Sequence, residues 1–132
     1  MANDTANCEI PHFNELAKAF GIEFTNKSRN MVQGTQWEQG RVDIAANNPV
    51  FKNTKTVYIK ELVTLNVKAP AKTIVSEGSD SIIATAKVGK GNVFIVGDPW
   101  LYNEYTDGRR IPMIYENFSA AKDLAKWALG MK

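Results

Sequence analysis

The stretch "SIIATAKVGKGNVFIVGDPWLYNEYTDGRR", residues 81–110, carries most of the fold information in this chain. Two runs rich in β-branched residues meet across Gly89-Lys90-Gly91-Asn92, which predicts a hairpin. Its second arm, residues 93–96, has consecutive apolar side chains, the composition of a strand buried on both faces. That arm ends at Gly97-Asp98. An indole, two phenols, two further acidic side chains and two arginines follow within one loop. Any chemistry or binding this chain performs is expected there.

Working outward, "TVYIKELVTLNV" (56–67) and "KTIVSEG" (72–78) read as strands. Residues 26–53 are rich in Asn, Gln, Gly and Ser. They read mostly as loop, with a strand near 41–44 and a turn plus apolar plug at "NNPVF" (47–51). Two helices frame the strands. In the first, Ile10, Phe13, Leu16, Ala17 and Phe20 recur at helical spacing, with Asn7 as cap, Pro11 in the first turn and Gly21 as stop. "IEFT" (22–25) then alternates like a short strand. In the second helix, Phe118, Ala121, Leu124, Ala125, Ala128 and Leu129 form an apolar stripe expected to face the sheet, with Trp127 at its edge and partly buried. Asn117 or Ser119 would cap it and Gly130 would end it.

The expected fold class is α/β, a two- or three-layer sandwich in which helices flank a mixed sheet. A strand is expected ahead of the first helix, yet "MAND" offers almost none, so the first strand is expected to be cut off or supplied from elsewhere. With 132 residues, no internal repeat and no long linker, the chain suits one domain. Apolar residues at 44% and charged residues at 23% exclude a disordered chain. A net charge of +2, with Arg109-Arg110 as the longest basic cluster, argues against a nucleic-acid surface. No apolar run approaches the ~20 residues of a membrane span. The first ten residues lack the basic and apolar regions of a signal peptide. Cys8 is the single cysteine, so no internal disulfide forms.

A Gly-x-Gly turn (Gly89, Gly91), the apolar strand 93–96, Gly97-Asp98, a long loop, then Asn117 leading a helix with Leu124 and Trp127, is similar to a subgroup of the class I glutamine-amidotransferase-like superfamily. "HFNELAKAFGIEF" (12–24) resembles the same subgroup's early helix and Phe-Gly-Ile turn. Residues 10–24 and 87–130 carry the match. More narrowly, the 91–110 and 116–129 segments resemble a module attached to bacterial unsaturated glycuronyl and rhamnogalacturonyl hydrolases of glycoside hydrolase families 88 and 105, as in polysaccharide-degrading Bacteroidetes. The resemblance implies a flavodoxin-like, amidotransferase-like layering and a separate catalytic (α/α)6 barrel in the parent chain as partner. It also implies a parent that is periplasmic or secreted. It implies no amidotransferase activity, because the Gly-x-Cys-x-Gly elbow that presents the family's nucleophile is absent.

Each candidate constellation has a structural alternative. Cys8 and His12 share a helix face at i, i+4, the spacing of a nucleophile pair; as a metal site they fall short of the usual three or four ligands. Asp98, Glu104, Asp107 and Glu116 could supply the two carboxyl groups of a glycosidase, set ~5 to ~9.5 Å apart across the bond, or could cap turns. Trp100, Tyr102 and Tyr105 could stack on sugar rings or fold the loop down. Arg109 and Arg110 could grip a uronate carboxylate or stay solvated. Gly89-Lys90-Gly91 lacks the spacing of a phosphate loop, and no cofactor is implied. The expectation is a non-catalytic accessory module whose contact residues are Asp98, Trp100, Tyr102, Tyr105, Arg109 and Arg110, with a domain or an oligosaccharide as partner. The alternative is a stand-alone carbohydrate-binding or small hydrolytic domain that uses the same loop.

Overall fold

A computed structural model of the chain describes residues 1–99, 101, 103 and 105–131. It is a mixed α/β fold dominated by antiparallel strands, with two helices. The residues gather into two compact units. Unit 1 comprises Met1–Arg29 and Glu61–Asp98; unit 2 comprises Asn30–Lys60 and Pro99–Lys132.

Unit 1 starts with helix α1 (Ile10–Ala17), which passes through a 3₁₀ turn at Lys18–Phe20 and stops at Gly21 with φ +78°. The stop and the Pro in the first turn are as expected. The cap is not. Glu9 occupies the N-cap position without a side-chain bond, while Asn7 is itself held by the Asp4 carboxylate. Strand β1 (Ile22–Arg29) outlasts the expected "IEFT", because its ladder with β4 (Leu62–Val67) resumes beyond an irregularity between Phe24 and Ser28.

The sheet runs β1, β4 (Leu62–Val67), β6 (Asp80–Val88), β5 (Lys72–Glu77), with β7 (Gly91–Val96) also on β6. The expected hairpin is the β6–β7 ladder, which closes at Val88↔Gly91. Every described ladder is antiparallel. Since β4 and β7 both oppose β6, they run parallel to each other, and the Val63 amide donates to the Gly97 carbonyl at 3.3 Å. This approach explains the glycine: a Cβ at Gly97 would collide with the Val63 carbonyl oxygen.

The strand buried on both faces is not β7, whose Val93 and Phe94 are half-exposed. Instead β4 and β6 are central, with Leu62, Val63, Ile82, Ile83 and Ala84 wholly buried. The reason is topological. β6 carries partners on both edges, and Thr85 pairs with Lys72 on one side and Phe94 on the other. Ile22, Phe24, Val63, Leu65 and Ile95 form the core with Ile10 and Ala17 of α1.

Unit 2 contains a 3₁₀ turn (Trp37–Gly40) and a two-stranded sheet of β2 (Arg41–Asp43) and β3 (Thr56–Tyr58). The single run read at 56–67 is thus two strands, broken before Glu61, which adopts φ +56°. "NNPVF" is the expected turn and plug. The Asn48 side chain accepts from the Val50 and Phe51 amides, and both of those side chains are buried. Helix α2 (Asn117–Ala128) closes the unit.

The expected stripe of α2 is buried only at Leu124 and half-buried at Ala121. Asn117, Ala120, Asp123 and Leu124 are buried, whereas Phe118 is 60% and Leu129 75% exposed. Trp127 is half-buried, as expected. The polar residues turn inward because the neighbouring 53–58 segment has backbone groups to satisfy, and a buried amide without a partner costs more than an exposed apolar side chain. Neither Asn117 nor Ser119 makes a capping bond.

Candidate functional site

The loop between β7 and α2 is where the sequence directs attention. Its described part in unit 2 is organised by short polar turns. Asn103 accepts from the Tyr105 amide through its side chain and from Thr106 through its carbonyl. Asp107 accepts from the Arg109 amide and from the Arg109 guanidinium, and Gly108 between them has φ +73°. The Arg109 guanidinium holds the Asp107 carboxyl below the usual carboxylate range.

Within unit 2, Tyr105 packs inward. Tyr58 is the hub of an aromatic cluster, with ring centroids 5.7 Å from Trp37, 5.9 Å from Tyr105 and 5.3 Å from Tyr115. Ile111 and Val32 complete it. A Cβ on Gly40 would strike the Tyr58 ring, so that glycine admits the hub. Burial pushes the Tyr115 phenol up, against the opposing influence of Arg41.

Three side chains of the α2 region fasten this unit. The Asn117 amide accepts from the Tyr58 N–H at 2.8 Å and donates to the Tyr58 carbonyl at 2.9 Å. The Glu116 carboxylate accepts from the Lys55 and Thr56 amides, and its own N–H donates to the Thr56 carbonyl. Asp123 accepts from the Asn53 amide, the Asn53 side chain and the Thr54 hydroxyl. Burial raises the Asp123 carboxyl, but these three donors and the nearby Lys126 outweigh it and bring the group below its ordinary value.

The structure distributes the expected contact residues unevenly. Tyr105 is half-buried in the aromatic cluster. Arg109 and Arg110 are exposed, Arg109 clipped to Asp107. Asp98 lies in unit 1 and is fully buried. Trp100 and Tyr102, with Glu104 of the carboxylate set, lie outside the described residues. Cys8 is half-buried beside the core of unit 1, and exposed His12 stands 3.9 Å from Glu9. Among the described residues, no group of three or more His, Cys, Asp or Glu side chains could hold a metal ion. No described helix is long and apolar enough to cross a membrane.

Sequence reading missed the Asn117, Glu116 and Asp123 fastenings. The available signal was Asp123 itself, an acid between two lysines on a helix that otherwise lacks carboxylates.

The architecture defines a class, an antiparallel-dominated α/β fold with two helices. No protein-family model matches the chain, and no curated protein matches it in sequence. Among solved structures, the mmIFT52 N-terminal domain is similar, with a TM-score of 0.64 and 21% identity over 88% of this chain. At that identity the likeness shows the fold alone. The chain spans 57% of that structure's length.

Proposed function

We propose that this chain is a non-catalytic interaction module, working as the accessory domain of a polysaccharide-degrading unsaturated glycuronyl hydrolase. The observation that carries the non-catalytic reading is the employment of three carboxylates of the loop and α2 region. Asp107 is bound by Arg109, Glu116 by two backbone amides and Asp123 by Asn53 and Thr54. A glycosidase acid or base must instead stay available to a sugar oxygen or a water. The attachment to a hydrolase rests on the sequence resemblance at residues 87–130. That mmIFT52 has an N-terminal domain of this fold supports the idea of a unit carried within a longer protein.

The test combines gene context with an assay. The coding sequence beside this chain should specify an (α/α)6 barrel. The chain alone should leave an unsaturated glycuronyl disaccharide intact, while the barrel cleaves it. Turnover by this chain alone, abolished by Asp107→Asn or Glu116→Gln, would refute the non-catalytic reading. Saturable binding of the disaccharide to this chain would favour a stand-alone carbohydrate-binding domain.

A further inference from the structure

The outer face of α2, its C-cap Leu129 and the segment leading into the helix expose Met113 (87%), Ile114 (65%), Phe118 (60%) and Leu129 (75%). Contiguous apolar exposure of this kind marks interaction sites in soluble proteins. The helix is anchored from its inner face by Asn117 and Asp123, so burying this stripe would require breaking those bonds. The outer face is also shaped. Ala125 and Ala128 are exposed between Phe118 and Leu129, leaving a shallow trough along a 12-residue helix of about 18 Å. Beside Phe118 a hollow of about 330 Å³ is lined by Gly108, Met113 and Tyr115 and by the carboxylates Asp107 and Glu116, which Arg109 and the Lys55 and Thr56 amides engage.

Along α2 itself the exposed charges share one sign. The sole carboxylate of α2, Asp123, is buried, and its two lysines, Lys122 and Lys126, are exposed. The Lys122 Nζ lies 5.6 Å from the Phe118 ring centroid, at the border of the stripe.

We propose that the α2 face docks an amphipathic helix of another polypeptide segment, one whose apolar stripe is rimmed by carboxylates. Small residues flanked by large ones let a helix approach closely, ridge into groove, and the Lys122–Lys126 rim selects an acidic partner. Anionic lipid is the weaker match, since lipid-directed clusters carry about 4–8 basic residues and this face has two. The inference centres on α2, which meets the 98–110 loop at the hollow beside Phe118, and does not depend on which enzyme the chain accompanies.

The experiment is fluorescence anisotropy with labelled synthetic helices. One peptide carries a leucine stripe with a glutamate rim, and a second has the same stripe with a lysine rim. The glutamate-rimmed peptide should bind saturably. The pair Phe118→Ser with Leu129→Ser should abolish binding, as should Ala125→Arg, which fills the trough. Lys122→Glu with Lys126→Glu should weaken the glutamate-rimmed peptide roughly tenfold and strengthen the lysine-rimmed one. Circular dichroism should be unchanged in all these surface variants. Equal affinity for both peptides, or no saturation, overturns the proposal. So does self-association that Phe118→Ser removes, since the occupant is then a second copy. Binding to phosphatidylserine vesicles without peptide binding overturns it in favour of a membrane.

Discussion

The Asn117 side chain pairs with Tyr58 as a neighbouring strand would, its oxygen taking the Tyr58 N–H and its nitrogen serving the Tyr58 carbonyl. Asn14 of α1 does the same for Phe24, accepting its N–H at 2.7 Å and donating to its carbonyl at 2.9 Å. In each unit, then, a helix supplies a carboxamide in place of a missing strand partner, and in each the strand residue is aromatic. An amide side chain suits this because it offers one donor and one acceptor in the same plane.

Replacing Asn117 with Ala should therefore orphan two buried backbone groups, at a cost of about 1–3 kcal/mol for each. Asn117→Asp keeps the acceptor and loses the donor, so its loss should be smaller at acidic pH than at neutral pH. Urea unfolding checks this. The midpoint should fall with an unchanged slope, and an unaltered midpoint for Asn117→Ala would show that water replaces the amide without penalty.

Gly97→Ala should destabilise by about 1–3 kcal/mol or more, because overpacking against fixed backbone cannot relax cheaply. The new Cβ meets the Val63 carbonyl itself. Gly91→Ala is the control, since its nearest atom would be the Val88 oxygen at 3.5 Å, an ordinary contact. Thermal melts of the two variants should separate clearly; coincident melts would dispose of the argument.

Acid should loosen unit 2 through Asp123. Its folded pKa lies below the ordinary 3.8, so the associated stability is complete above that value and is lost as pH falls through the folded pKa. Asp80 behaves alike in unit 1, where hydrogen bonds from Lys27 and then Arg29 depress it. Asp123→Asn should lower stability at neutral pH and flatten its fall below pH 4 or so. A variant with the wild-type acid limb would place that dependence elsewhere.

The two halves of the candidate loop should respond differently. Tyr105→Ala removes a ring from the Tyr58 cluster and should cost about 0.5–1.5 kcal/mol beyond the area lost. It should also reduce the near-ultraviolet circular dichroism. Arg109→Ala, at an exposed position, should stay within about 0.5 kcal/mol of the parent. If Arg109→Ala were the more damaging of the two, the loop would be held by its charges rather than its rings.

Much of the framework was legible. Gly89 and Gly91 announced the β6–β7 hairpin, Gly21 the end of α1, and Asn48-Pro49 the turn before Val50. These are short-range effects of backbone freedom and local hydrogen bonding. The orientation of α2 was legible only at Leu124 and Trp127. Periodicity assigns apolar residues to the interior, and here Asn117 and Asp123 took that place because distant backbone groups at 53–58 lacked partners. The break of 56–67 into two strands was hidden for a similar reason. It turns on Glu61 in a left-handed conformation, which a non-glycine residue does not advertise. Of the contact set, Tyr105 gained an inward role through Tyr58, a neighbour 47 positions away in sequence that no local pattern links to it.

The two carboxamide pairings differ in timing during synthesis. Asn14 and Phe24 are 10 residues apart, whereas Tyr58 and Asn117 are 59 apart. At about 5–20 residues per second on the ribosome, the first pair can meet within roughly 0.5–2 s of each other's appearance, and the second only after roughly 3–12 s. During that interval the backbone of β3 has no helix to answer it. Nascent chains arrested before Asn117 emerges should thus be cut by protease within 53–58, and chains arrested after α2 has emerged should resist. The birth of this protein is accordingly staggered, with the Asn14 clasp closing early and the Asn117 clasp closing late.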